Sequence, residues 1–217
     1  MTAEPQIAAF ILAGGESTRM GRSKAALQLS GVPMLVRTAR LVQGAGGAGE
    51  PAVIGNLNGA ESYGLAVIAD QWPGAGPLGG IATALQASKA PWNLIVACDL
   101  PYLTRPWIEF LAARALAAQA DAVVPTNARG AEPLCAAYHK RCEGTIRAAL
   151  ERGVRKVTDG LTDLLVELID PFEWKAFDSD GMLFKNMNTP EDYEEAVRRF
   201  EQGSGEAPKR DSSLRSE

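Results

Sequence analysis

Two adjacent glycines and two cationic residues near the start of the chain form the pattern best suited to chemistry. Gly14 and Gly15 follow an apolar run, and Arg19 and Lys24 come soon after them. A glycine pair lets the backbone turn sharply, so that successive N–H groups form a nest for an anion. The two side chains add fixed positive charge, which suits a triphosphate. The alternative is a glycine-rich turn with solvated basic residues, since the run matches neither a P-loop nor G-x-G-x-x-G.

Two aspartates follow apolar runs that predict strands. Asp70 comes after residues 66–69, and Asp99 comes after residues 94–98. In a parallel sheet the ligand lies beyond the carboxyl ends of the strands, so both carboxylates are expected at the ligand edge. Asp99 is the stronger candidate for a magnesium ligand, because Mg²⁺ takes one or two carboxylates together with waters and phosphate oxygens. Each aspartate could instead form a turn.

Three asparagines extend the set of polar candidates. Asn56 follows a predicted strand at 51–55, and by itself it is typical of a turn. Asn186 and Asn188 would face the same way in an extended segment, where their amides could donate to phosphate oxygens or complete a metal shell. They could equally form the polar entry to a helix that starts at Thr189.

The elements that must position these residues alternate between strand and helix along most of the chain. The continuous apolar run 7–13 predicts a strand buried on both faces. Further strands are predicted at 51–55, 65–69, 93–98, 122–125, 134–138 and 184–186, and helices at 33–43, 77–88, 104–119 and 141–152 and from Thr189 onward. Residues 45–50 are expected to form a flexible loop. This order predicts a three-layer, Rossmann-like α/β fold with a mostly parallel central sheet.

Composition restricts the class of protein. The chain has 217 residues, of which 46% are hydrophobic and 22% are charged, and this predicts one folded domain, over 1–202. Residues 203–217 are polar and rich in serine, glycine and charge, and they are expected to form a disordered tail. The net charge is −4 and no strongly basic stretch offsets it, so nucleic acid is an unexpected partner. Three scattered cysteines without a C-x-x-C pair argue against a zinc site or a disulfide framework. The apolar runs are too short to span a bilayer and the start lacks a signal-peptide pattern, so a cytoplasmic location without membrane contact is expected.

The motifs, taken in order, resemble those of a known family. L-A-G-G-x-x-x-R-M-G-x-x-K is similar to the opening signature of the molybdenum cofactor guanylyltransferases, part of a wider nucleotidyltransferase family with a Rossmann-like fold. The similarity continues to about residue 200 through four later motifs: G-P-L-G-G-I at 76–81, C-D-L-P at 98–101, E-P-L-C-A-A-Y at 132–138 and N-M-N-T-P-E-D at 186–192. Gly79 departs from the alanine that relatives often carry, and this is expected to loosen the loop or change its fit to the pterin.

The resemblance implies transfer of GMP from GTP to molybdenum-loaded molybdopterin, with Mg²⁺ and release of pyrophosphate. Arg19, Lys24 and Asp99 would be the catalytic residues, and Asp99 and Asn188 would lie at the metal. The residues implied to bind the nucleotide are Leu12, Ala13, Gly14, Gly15, Lys24, Asn56, Asp70 and Asp99. Those implied as candidates for the pterin are Gly76, Gly80, Arg155, Asn186 and Asn188. For Arg155 and the adjacent Lys156, a solvated basic loop is the alternative.

Two other functions stay open. Relatives that transfer CMP more often have the sequence Leu-Ala-Ala-Gly at this point. Gly15 has no Cβ and leaves room for a purine, so it favours GTP over CTP. This preference depends on a single residue. A cytidylyltransferase acting on molybdopterin or on a small alcohol phosphate is therefore the first alternative, and a non-catalytic nucleotide sensor or assembly module is the second. Other proteins of cofactor biosynthesis or acceptor molybdoenzymes are candidate partners, and a monomer or weak homo-oligomer is expected.

Overall fold

A computed structural model describes residues 5–13, 24–55, 63–178 and 180–203. The strands are β1 (Ile7–Leu12), β2 (Gln28–Leu29), β3 (Val32–Pro33), β4 (Ala52–Ile54), β5 (Ala66–Ile68), β6 (Trp92–Ala97), β7 (Ala122–Asn127), β8 (Gly130–Ala131), β9 (Cys135–His139) and β10 (Val166–Ile169). The α-helices are α1 (Met34–Val42), α2 (Pro77–Ala87), α3 (Arg105–Ala117), α4 (Glu143–Glu151), α5 (Val157–Gly160), α6 (Pro171–Trp174) and α7 (Pro190–Gly203). None of the helices in these described ranges is long and apolar enough to cross a bilayer.

The central sheet has the strand order β10-β7-β9-β6-β1-β4-β5, with the short β8 paired to β7. The pairings β1–β4, β1–β6, β4–β5 and β7–β10 are parallel, and β9 runs antiparallel to both β6 and β7. The chain passes from β1 to β4 and β5 on one side and then returns to β6 on the other. Strand order therefore reverses at β1, and in open α/β sheets such a reversal opens a crevice for ligands at the carboxyl ends of the strands.

Helices cover both faces of the sheet and give the predicted three layers. Side chains of β1 alternate between the two cores: Ile7 and Ile11 join the core that contains α1 and α3, whereas Phe10 and Leu12 join the core that contains α2 and α4. Trp107 of α3 is fully buried, and its indole N–H lies 3.3 Å from the Cys135 sulfur. Thr104 caps α3, as predicted, by accepting a hydrogen bond from the Trp107 N–H.

Some predicted elements differ from the structure. Residues 184–186 do not form a strand; Phe184 is held instead by edge-on ring contacts with Trp107 and Trp174, at 5.5 and 5.0 Å between centroids. The expected loop 45–50 contains a 3₁₀ turn, Ala45–Gly47. The structure also contains β10, a short edge strand that was not predicted. Its polar residue Glu167 interrupts the apolar run by which the other strands were recognised.

Candidate functional site

The carboxyl ends of β1 and β6 lie side by side and define the centre of the site. Leu12 pairs with Ala97, and the Cys98 N–H donates to the Leu12 carbonyl at 3.1 Å. Ala13 donates to the Ile54 carbonyl of β4 at 3.1 Å. Two predicted candidates, Ala13 and Asp99, therefore leave neighbouring strands at the same edge.

Several predicted catalytic and nucleotide-binding residues lie outside the described part of the chain. They are Gly14, Gly15, Arg19 and Asn56, and their roles stay predictions. The description resumes at Lys24, whose backbone opens a 3₁₀ turn, Lys24–Ala26.

A cleft of about 260 Å³ opens beside Asp99. It brings Asp99 together with Asn186 and with Lys156, which come from distant parts of the sequence. Its lining consists of Asp99, Leu100, Ala131, Glu132, Pro133, Leu134, Lys156, Val157, Thr158 and Asn186. The combination of an apolar floor with a few convergent charged and amide groups is typical of a site for a small molecule.

The asparagine segment is tied directly to the Asp99 loop. The Met187 N–H donates to the Asp99 carbonyl at 2.9 Å, and the Met187 side chain is buried between the hairpin β2–β3 and α7. Thr189 caps α7 by accepting from the Asp192 N–H at 3.2 Å, and the Asp192 carboxylate accepts in return from the N–H groups of Asn188 and Thr189, both at 2.9 Å. The asparagines thus form the polar entry to α7, and contact of their amides with phosphate oxygens or a metal stays a prediction.

Asp70 forms the turn that was the alternative to a ligand contact. Its Oδ1 accepts from the Trp72 N–H at 2.9 Å and lies 3.1 Å from the buried Thr83 hydroxyl. This carboxylate therefore links the loop after β5 to α2. Contact between Asp70 and a nucleotide stays a prediction.

The glycines before and within α2 have structural roles. Gly76 has φ 68° and ψ −162°, a conformation that side chains rarely adopt. A Cβ on Gly80 would lie 3.1 Å from Leu12 Cδ2, so this glycine lets α2 approach the end of β1. A Cβ on Gly79 would lie 2.9 Å from both Cβ and O of Trp72, so this glycine packs tightly and does not loosen the loop, whereas a changed fit to the pterin stays a prediction.

The Arg155 side chain binds backbone carbonyls near the end of α4 and does not line the cleft. Its Nη1 donates to the carbonyl of Leu150, in the last turn of α4, at 3.0 Å and to that of Val154, in the loop after it, at 2.9 Å. Lys156 lines the cleft instead, with a side chain that is 74% exposed. A pterin contact by Arg155 stays a prediction, as do those proposed for Gly76, Gly80 and Asn188, which also lie outside the cleft lining.

Glu132 is a cleft residue that the sequence-based prediction of site residues missed. Because β9 runs antiparallel to β6, its beginning lies at the ligand edge, where the Leu134 carbonyl accepts from the Ala97 N–H at 2.7 Å. Burial raises the pKa of the Glu132 carboxyl, and the hydrogen bond from Asn127 opposes that rise. The motif E-P-L-C-A-A-Y was visible in the sequence, but the strand direction needed to place it was not.

The donors beside Asp99 fit a divalent ion of the magnesium type. One carboxylate, with the amide of Asn186 lining the same cleft, leaves room for waters and phosphate oxygens, as such an ion requires. Within the described ranges no three histidine, cysteine, aspartate or glutamate side chains form a cluster that could hold a metal ion without a substrate. The three cysteines are buried and separate.

Strand reversal at β1 and an aspartate after the central β6 define an open α/β sheet whose ligand crevice lies at the carboxyl edge of its strands. Solved structures share this fold: molybdopterin-guanine dinucleotide biosynthesis protein A from Archaeoglobus fulgidus superposes with a TM-score of 0.78 at 24% identity, over 89% of this chain and 98% of that one. A CMP:2-keto-3-deoxy-manno-octonic acid synthetase superposes with a TM-score of 0.74 at 12% identity, over 91% of this chain and 99% of its own.

The chain belongs to the family of the MobA-like NTP transferase domain, whose model matches residues 9–165. A probable molybdenum cofactor guanylyltransferase from Clostridium perfringens is 30% identical over 197 residues, which cover 89% of this chain and 97% of the relative. One from Methanothermobacter thermautotrophicus is 34% identical over 194 residues, which cover 84% and 94%. The family resemblance read from the five motifs is thus confirmed.

Proposed function

We propose that this protein transfers GMP from GTP to the terminal phosphate of molybdopterin and releases pyrophosphate, forming molybdopterin guanine dinucleotide. The names of the relatives supply the two substrates. The single structural observation that carries the proposal is the cleft at the carboxyl end of β6. There the Met187–Asp99 backbone hydrogen bond holds the asparagine segment against the aspartate loop.

The sheet divides the candidate residues into two groups. Leu12 and Ala13 at the end of β1 and Asp70 after β5 lie on one side of β6. The start of β9, together with Lys156 and Asn186, forms the cleft on the other side. We assign the first group to the nucleotide and the second to the pterin, with Asp99 between them.

The transfer requires little acid–base chemistry. A phosphate oxygen of the pterin attacks the α-phosphorus of GTP in line; the new P–O bond forms as the bond to pyrophosphate breaks. Because the attacking oxygen is already anionic, no general base is needed, and positioning with charge neutralisation supplies the catalysis. Arg19 and Lys24 would hold the phosphates.

Asp99 would hold Mg²⁺, with Asn188 as the second protein group near it. A bound Mg²⁺ would neutralise charge on the phosphates and orient the α-phosphate. Asp99 is partly exposed and lines the cleft, where it can serve an ion shared with phosphate oxygens.

The test is pyrophosphate release with molybdenum-loaded molybdopterin and Mg²⁺, comparing GTP, CTP and ATP. We expect turnover with GTP and its loss in Asp99→Ala. Glu151→Gln on the exposed face of α4 is the matched control and should behave as wild type. Turnover with CTP alone would assign the protein to the cytidylyl branch, and tight GTP binding without turnover would favour the sensor.

A further inference from the structure

Glu132 is a firmly placed carboxylate in the cleft. Its N–H donates to the Pro125 carbonyl at 2.8 Å, and its own carbonyl accepts from the Cys135 N–H at 3.2 Å. These bonds fix its backbone between the end of β7 and the start of β9. The residue lines the same cleft as Asp99.

Asn127 fixes the side chain of Glu132 as an acceptor. The Asn127 Oδ1 accepts from the Arg129 N–H at 2.7 Å, so its amide nitrogen must be the atom that faces Glu132. That Nδ2 donates to Glu132 Oε1 at 2.5 Å. A carboxylate has acceptor sites on both oxygens, so one bond from Asn127 leaves capacity for further donors.

The surroundings of Glu132 suit a flat ring with N–H groups on one edge. Pro133, Leu134 and Val157 supply apolar surface in the same cleft. A carboxylate pairs best with two parallel N–H donors, which add geometric specificity as well as energy. The 2-amino-4-oxopyrimidine edge of a pterin offers such a pair, from the ring N3–H and the 2-amino group, and guanine carries the same edge.

We propose that Glu132 determines specificity by accepting hydrogen bonds from the 2-amino-4-oxopyrimidine edge of the pterin acceptor. The proposal rests on the proposed function. The pterin is favoured over guanine as the source of this edge because β9 lies on the opposite side of β6 from β1, β4 and β5, whose ends carry the candidates for the nucleotide.

The first test is steady-state kinetics of Glu132→Gln with molybdopterin and GTP. The glutamine keeps the size of the side chain but replaces one acceptor with a donor. We expect the KM for molybdopterin to rise about 10- to 100-fold, the loss typical of a hydrogen bond to a charged group, while the KM for GTP stays within about twofold. Asn127→Ala should raise the KM for molybdopterin by a smaller factor, and Glu151→Gln on α4 should change neither KM.

The second test uses inhibitors that differ only at the recognised edge. Lumazine carries an oxygen in place of the 2-amino group of pterin, so a donor becomes an acceptor. Pterin should inhibit wild type more strongly than lumazine does, and Glu132→Gln should lose this preference. GTP and xanthosine triphosphate differ in the same way, and the ratio of their kcat/KM values should be equal in wild type and Glu132→Gln.

Each contrary result has a distinct meaning. Normal turnover of Glu132→Gln with an unchanged KM for molybdopterin, or equal inhibition of wild type by pterin and lumazine, would overturn the role of Glu132 and leave guanylyl transfer standing. If Glu132→Gln changes the preference for GTP over xanthosine triphosphate, the pterin role of Glu132 is overturned and the residue recognises guanine instead. Absence of GMP transfer by the wild-type protein would refute the proposed function and this inference with it. Melting temperatures of all variants show whether each is folded.

Discussion

The two ends of the central sheet use similar residues for different purposes. At the carboxyl end of β6, Asp99 and Lys156 line an open cleft together with Glu132. At the amino end of β7, the Asp121 carboxylate accepts hydrogen bonds from Arg141 and from the Leu165 N–H, the latter at 2.9 Å. In this pair, the aspartate at the carboxyl end of a strand lines a cleft and the one at the amino end ties strands together.

Bonds at the amino end of the sheet converge on one residue. The Asp121 N–H donates to the Leu165 carbonyl at 2.7 Å, while the Asp121 carbonyl accepts from the His139 N–H at 2.8 Å. Arg141 donates to the carbonyls of Gln119 and Ala120 as well. The strands β7, β9 and β10 are joined here, so this end is expected to contribute stability and the cleft end to contribute activity.

The largest expected effect is on catalysis at the cleft end. Asp99→Asn should lower kcat/KM at least about 100-fold, because an amide cannot balance the charge on a divalent ion. The free energy of unfolding should keep the contribution of the hydrogen bond from Met187, because that bond goes to the Asp99 backbone carbonyl, which the substitution retains. Pyrophosphate release and urea denaturation measure the two quantities. If Asp99→Asn loses stability and activity in parallel, the assignment of activity to the cleft end and stability to the amino end is contradicted.

The next effect is on the packing of α2 beneath the cleft. Gly79→Ala should destabilise the protein by about 1–3 kcal/mol, because the new Cβ would lie 2.9 Å from the Trp72 backbone oxygen. Gly144→Ala is the matched control: no atom lies within 4 Å of its Cβ position, and α4 should gain about 0.5 kcal/mol from helix propensity. Denaturation midpoints decide the outcome, and a Gly79→Ala protein as stable as wild type would show that Trp72 moves easily.

Much of the fold followed from patterns within single segments. The alternation of apolar runs with helical spacing predicts the layers and the mostly parallel sheet, and the carboxyl-end rule places Asp99 at the ligand edge. Thr104 and Thr189 mark helix starts correctly because capping is local. These features depend on neighbours in sequence, which a single chain displays.

The features that could not be predicted depend on partners far apart in sequence. The antiparallel direction of β9 is set by its pairing between β6 and β7, and without it Glu132 has no place at the ligand edge. Arg155 comes two residues after Gly153 and next to Lys156, yet its hydrogen bond to a carbonyl at the end of α4 is visible only in three dimensions. The tight contact of Gly79 with Trp72 likewise arises from packing.

At the amino end, Asp121→Asn should cost about 1–2 kcal/mol of unfolding free energy and leave kcat near wild type. Replacing a charged acceptor that holds both Arg141 and a backbone N–H removes strong hydrogen bonds, although the exposed arginine limits the loss. Asp163→Asn is the control, because the Arg152–Asp163 pair is largely exposed and should be worth under about 0.5 kcal/mol. Urea denaturation of the two variants side by side would separate them, and equal losses would contradict the assignment of Asp121 as a junction.

The smallest expected effect is the pH dependence of the stabilisation that the Asp121 carboxylate provides. The hydrogen bond from Arg141, with that from the Leu165 N–H, holds the pKa of Asp121 below its ordinary value of 3.8. In the unfolded chain the carboxyl returns to 3.8, so the native state binds fewer protons and its stabilisation is complete above that pH. As pH falls below 3.8 and through the lowered native pKa, the stabilisation is lost. The difference in melting temperature between wild type and Asp121→Asn should therefore not decline between neutral pH and about this value and should shrink below it. A difference that already declines well above this value would mean that another group carries the effect.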